Sequence, residues 1–237
     1  MDAYGYALMA FYEGNRKVKI KVESDIAETE YWPAKEFFHE WKDMNQIERL
    51  ALEMCHGRTL DVGAGSGSHA LWLQNHGIEA HAIDVSEGAV SVMQKRGLRY
   101  VEKMDFFNLD GRLYDSILML MNGAGIIGQM DRIDEFFMQV KRLLAPGGSL
   151  ILDSSDVSYL FLDDDGSVLV DLNSAYYGEF EYTMSFAGKR DAPFKWLFID
   201  FDTLQAAAER NGMNCRKVYE DNHYQYLAEL TFTFKQG

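Results

Sequence analysis

The spacing of apolar positions changes character along this chain. From residue 58 to residue 153, short runs that are apolar on both faces alternate with stretches whose apolar residues recur every three or four positions. The runs Arg58–Val62, Glu79–Asp84, Leu98–Lys103, Tyr114–Met121 and Ser149–Asp153 predict strands. Between them, Ser66–His76, Glu87–Arg96 and Asp131–Leu144 predict helices, the last stopped by Ala145-Pro146-Gly147-Gly148. Strands of this kind, separated by helices, imply a parallel sheet covered on both sides. Beyond residue 154 the period falls to two. Val168–Leu172, Glu179–Phe186 and Lys195–Ile199 alternate like antiparallel strands, a β-rich insert spanning about 155–200. A helix, Phe201–Arg210, then returns and is stopped by Asn211-Gly212, and two strands, Asn214–Tyr219 and Gln225–Phe234, close the chain. Residues 1–57 have helical spacing and predict an N-terminal helical cap, with a dense aromatic patch from Tyr31 to Trp41. No repeat or proline-rich linker divides the chain, so the cap and residues 58–237 are expected to form one structural domain.

Composition narrows the partners. The 237 residues are 47% hydrophobic, enough for a substantial core, and carry a formal charge of −14. Such a charge repels a phosphate backbone, so nucleic acid is not an expected partner. Cys55 and Cys215 are too few for a disulfide framework or a zinc site and suit a reducing compartment. No run is long and apolar enough to span a membrane, and no basic-led apolar segment opens the chain, so a cytoplasmic location is expected. Asp163-Asp164-Asp165-Gly166 lacks the spacing and closing glutamate of a calcium loop and reads as a solvated turn; no metal site is expected.

The chemistry sits at the ends of the predicted parallel strands. Thr59-Leu60-Asp61-Val62 runs into Gly63-Ala64-Gly65-Ser66-Gly67 and then into a helix. Glycines accept positive φ and let a ligand approach the main chain, while the helix start offers free N–H groups. The spacing is G-x-G-x-G, with Ser68 where a dinucleotide site would place its third glycine, and no lysine follows as in a P-loop. Asp84 ends the second strand and can accept both hydroxyls of a ribose diol. Asp105 follows the third strand and can accept from an adenine amino group, with Met104 or Phe106 against the ring. Asn122 ends the fourth. Each alone reads equally well as a cap or a turn former; the ordered set outlines one ligand rim.

LDVGAGSG (60–67), AIDVS (82–86), MDFFN (104–108), YDSILMLMNG (114–123) and LLAPGGSLIL (143–152) together resemble the class I S-adenosylmethionine-dependent methyltransferases. The resemblance covers about residues 58–153. It implies a Rossmann-like α/β fold with a seven-stranded, mostly parallel sheet, an antiparallel last strand and helices on both faces. It also implies S-adenosyl-L-methionine as cofactor and S-adenosyl-L-homocysteine as product. By this resemblance Asp61 and Gly63, Ala64, Gly65, Ser66 and Gly67 line the methionine end. Asp84 holds the ribose and Asp105 contacts adenine, with Val85, Met104 and Phe106 as further cofactor-binding positions, and Asn122 with Gly123 borders the methyl donor and the acceptor. The chain departs from the amide and exocyclic-nitrogen methylases, because Gly123-Ala124-Gly125 follows Asn122 where they have Pro-Pro-aromatic.

Methyl transfer from a sulfonium needs chiefly alignment and exclusion of water, so no fixed catalytic constellation is required. The expected acceptor is a small molecule receiving the methyl group on oxygen or nitrogen. The positions put forward for catalysis are Asn122, His39, Tyr177 and Glu179; Tyr31, Asp153, Asp156, Tyr176 and Glu181 are further candidates for acceptor contact. Two other readings stay open at this point: a nicotinamide-dependent oxidoreductase on the same sheet, and a non-catalytic binding module of methyltransferase shape.

Overall fold

A computed structural model describes residues 1–161 and 175–232. Two expected features, the turn at 163–166 and the strand Val168–Leu172, lie outside the described residues. The N-terminal segment begins with α1 (Ala3–Tyr12), capped by the Asp2 carboxylate on the Gly5 N–H. It ends with α2 (Gln46–Met54), where Asn45 and Glu48 form a reciprocal capping box. Between these helices lie two strands that the spacing did not predict, β1 (Lys19–Ser24) and β2 (Glu30–Pro33). Val18, Ile20 and Val22 alternate with Lys19, Lys21 and Glu23, a period-two signal too short to stand out from the flanking helices.

The main sheet follows. Its elements are β3 (Arg58–Val62), α3 (Ser68–Asn75), β4 (Glu79–Asp84), α4 (Glu87–Lys95), β5 (Tyr100–Lys103), β6 (Tyr114–Met119), α5 (Ile133–Leu143) and β7 (Leu144–Ser155). β7 starts directly after α5, so the proline–glycine stop ends the helix from inside the next strand. Then come β8 (Glu179–Phe186), β9 (Lys189–Arg190), β10 (Phe194–Leu197), α6 (Phe201–Arg210), β11 (Met213–Glu220) and β12 (Gln225–Phe232).

The seven-stranded sheet runs β11-β12-β7-β6-β3-β4-β5. β5, β4, β3, β6 and β7 are parallel, and the last strand, β12, is antiparallel to both its neighbours. Chain order reverses at β3, which lies between β4 and β6, and open α/β sheets bind ligands at such a switch point. Leu60, Ile83, Ile117, Leu118 and Leu150 are wholly buried in the middle of this sheet. The second sheet, β10-β8-β1-β2 with β9 on β8, is antiparallel and joins the N-terminal segment to the insert.

Candidate active site

A cavity of about 870 Å³ opens between the carboxyl ends of β3, β4, β5 and β6 and the second sheet. The main sheet makes its floor. Gly63 (φ +67°), Gly65 (φ +56°) and Gly67 (φ +82°) all hold left-handed conformations that side chains rarely accept. A Cβ on Gly65 would stand 2.7 Å from the Tyr4 hydroxyl, and one on Gly67 would stand 2.5 Å from Leu98. Gly65 therefore keeps the cavity open, whereas Gly67 packs the turn onto the body of the protein.

The Asp84 carboxylate accepts from the Gly65 N–H and the Ser86 N–H, both at 2.8 Å, which ties the end of β4 to the glycine turn. Burial pushes its pKa up to about 6 against the lowering effect of those N–H groups. Asp61 is equally hidden; it accepts from the Ala70 N–H at 3.1 Å, and burial pushes it up to about 6. Asp105 accepts from the Phe107 N–H at 2.9 Å. Met121 and Asn122 are both left-handed (φ +64° and +57°), and the turn they make is held by Asp153, which accepts from the Asn122 and Gly123 N–H groups at 3.0 and 2.9 Å. The Ser66 hydroxyl donates to the Phe37 carbonyl, and Arg96 donates to the Ser66 carbonyl at 2.7 Å.

Of the expected cofactor positions, Asp61, Gly63, Ala64, Gly65, Ser66, Asp84, Val85, Met104, Asp105, Phe106 and Asn122 line this one cavity. Gly67 and Gly123 stand behind its wall. Among the acceptor candidates, His39, Asn122 and Asp153 line it as well. Others do not reach it. Tyr177 donates to Asp156 at 3.1 Å and Tyr176 to Asp200 at 2.5 Å; Glu179 accepts from the Met130 N–H at 2.9 Å. Glu181 pairs with Lys195, and Tyr31 is 58% exposed on the outer face of the second sheet. On β8 the cavity side carries Tyr182 and Met184, the face opposite the two glutamates.

Two residues of the cavity, Tyr4 and Glu48, lie outside the positions that the sequence put forward for the site. Tyr4 comes from α1 and meets Phe37 edge-on at 5.2 Å. Glu48, 3% exposed, accepts from His39 Nδ1 and from His69 Nε2, both at 2.9 Å on the same oxygen. Burial raises the Glu48 pKa, but the two imidazole hydrogen bonds overcome it and hold it at about 2. A carboxylate only accepts, so His39 carries its proton on Nδ1 and turns Nε2 outward as a lone pair when neutral. The hydrogen bond to Glu48 raises the His39 pKa against the effect of burial. The capping box announces Glu48 as a helix cap; nothing local in the sequence announces that two imidazoles converge on it.

Among the described residues no group of side chains is arranged to hold a metal ion, and no helix is long and apolar enough to cross a membrane. The glycine turn, the pre-shaped Asp84 carboxylate and the open space beside Asn122 fit a nucleoside with a flexible charged tail.

Residues 60–150 match the family described as "Methyltransferase domain". A methyltransferase from Bacteroides fragilis, solved in complex with S-adenosyl-L-homocysteine, is 42% identical and superposes with a TM-score of 0.93 over 98% of this chain and 95% of that one. The CcbJ methyltransferase of Streptomyces caelestis (16% identity, TM-score 0.63, 84% and 96% covered) shares the fold. So does CalS10, an amino pentose methyltransferase from Micromonospora echinaspora (20%, 0.54, 78% and 87%). No curated protein sequence matches the chain. The 42% identity over almost all of both chains, with the family match across the strands that build the floor, places this chain among the S-adenosylmethionine-dependent methyltransferases.

Proposed function

We propose that the enzyme passes its methyl group, by in-line displacement, to an oxygen or nitrogen of a small-molecule acceptor held under the second sheet. The observation that carries this reading is the single cavity shared by the Asp84–Gly65 rim and an aromatic roof, large enough for cofactor and acceptor side by side. S-Adenosylmethionine supplies, when bound, a methyl group already activated on a positively charged sulfur. Asp84 accepts the ribose hydroxyls, and Asp105 accepts the adenine amino group with Met104 and Phe106 against the ring. Asp61 and the glycine turn hold the methionine end. Asn122, fixed by Asp153, borders the transferred methyl. His39, oriented by Glu48, offers Nε2 to a proton on the acceptor where a hydroxyl must lose one. The −14 charge and the enclosed roof support a small molecule over a nucleic acid, and the two free thiols suit a reducing cytoplasm.

Calorimetric titration with S-adenosylhomocysteine, followed by a metabolite screen monitoring S-adenosylhomocysteine release, tests this reading. Binding of S-adenosylhomocysteine, and its formation from added S-adenosylmethionine in the presence of a small hydroxyl or amino compound, is the expected result. Turnover only with a macromolecular acceptor would refute it.

A further inference from the structure

The roof over the methyl end has a definite chemistry. The Trp196 indole on β10 lies directly on Gly125, three residues after Asn122, so closely that a Cβ there would enter the ring. Phe194 meets Trp196 edge-on at 6.2 Å and Tyr182 at 6.1 Å, and Tyr182 stands 6.2 Å from Trp32 on β2. All four rings line the cavity, forming a continuous aromatic wall from β2 across to β10. Four charged groups around this wall are held by partners of their own, and Glu36, which also lines the cavity, is exposed. Lys195 pairs with Glu181 at 3.4 Å and Arg132 with Glu135 at 2.9 Å. Glu30 accepts the Trp32 indole N–H at 2.6 Å, and Asp191 accepts the Ala3 N–H at 2.7 Å. Tyr182 adds one hydroxyl, kept protonated because burial pushes its pKa up to about 12. A wall of ring faces whose neighbouring charged groups are held in place by other contacts favours a flat, uncharged partner that can stack or meet edges. An aliphatic cation would gain from the ring faces too, but no unpaired buried carboxylate stands among them to complete its neutralisation.

Building on the methyltransferase reading, we propose that the acceptor carries an uncharged aromatic ring, which docks against the Trp32–Tyr182–Phe194–Trp196 wall and points its nucleophile toward the Asn122–Gly125 loop. The protein holds its own control for this. Its other two tryptophans, Trp41 and Trp72, stack on each other at 4.8 Å and do not line the cavity.

The test uses ¹⁵N-labelled protein saturated with S-adenosylhomocysteine, its four indole N–H signals assigned by single Trp→Phe substitutions. Phenol, indole and quinoline are titrated in one series, choline and glucosamine in another. The aromatic probes should shift the Trp32 and Trp196 signals saturably and leave those of Trp41 and Trp72 in place. In Phe194→Ala their affinity should fall about tenfold with S-adenosylhomocysteine binding unchanged. The proposal is overturned if choline or glucosamine moves the same signals with equal or higher affinity. It is overturned equally if no aromatic probe moves them up to its solubility limit. Failure of the unmodified protein to bind S-adenosylhomocysteine would instead bring down the underlying reading of the site.

Discussion

The floor and the roof of the cavity are made in opposite ways. The floor comes from consecutive strands of one sheet, and its contacts run mostly through main chain: Gly65 and Ser86 N–H to Asp84, Ala70 N–H to Asp61, Asn122 and Gly123 N–H to Asp153. The roof is assembled from β1 and β2 near the start of the chain and β8 to β10 near its end, and it meets the cavity with side chains. Main-chain geometry is the same whatever the acceptor, so a floor built from it can serve one cofactor. A roof built from side chains can be repacked for a different acceptor without disturbing that floor.

The seam between the two halves is the most sensitive place to break this separation. Glu48 joins His69 of the floor to His39 of the N-terminal segment. Glu48→Ala removes the capping box and leaves two imidazoles without their acceptor. It should cost about 3 kcal/mol of stability, read by urea unfolding. Within the floor, Asp84→Ala should weaken S-adenosylhomocysteine binding by about 1.5–3 kcal/mol, measured by calorimetry, with the far-ultraviolet spectrum unchanged.

Proton uptake at Asp84 sharpens the same point. Ribose hydroxyls need the carboxylate as acceptor, so S-adenosylhomocysteine affinity should fall about tenfold between pH 7 and pH 5, through the raised pKa of about 6. Stability of the free protein should move the other way. Asp61 and Asp84 hold their protons in the folded state to higher pH than in the unfolded chain, so their contribution is present at low pH and is lost as pH rises through about 6. Asp84→Asn should flatten the binding profile and shrink the stability profile to the share of Asp61; a binding profile that keeps its slope in this variant would show that the ribose lies elsewhere. The smallest effect is the sharpest discriminator. Gly125→Ala forces the Trp196 ring away, so it should leave S-adenosylhomocysteine affinity within about twofold while removing the response to aromatic probes.

This division also decides what was legible in the sequence. β3, β4 and β8 run over the residues their spacing predicted, and the glycine turn, Asp84, Asp105 and Asn122 all reach one cavity. Their signals are local: an apolar run, a turn and one residue at a strand end. The roof depends on β1 pairing with β8 across more than 150 residues, as in Val22 with Met184, and no local pattern encodes that partner. Alternation in β8 separates two faces without saying which turns inward. Glu179, a candidate for catalysis, and Glu181, a candidate for acceptor contact, are taken up by the Met130 N–H and by Lys195, and the cavity receives Tyr182 and Met184. Tyr4 is silent for the same reason, since only the packing of α1 brings it to Gly65.

The first turn of α1 bears on how the cavity opens. Asp2 accepts from the Ser86 hydroxyl of the floor at 2.8 Å, while Asp191 of the roof accepts the Ala3 and Tyr4 N–H groups at 2.7 and 3.3 Å. One helix end is thus fastened to both halves. Parting roof from floor to let a spent nucleoside leave must therefore undo these hydrogen bonds together with the seam at Glu48, which couples opening of the cavity to the first turn of α1.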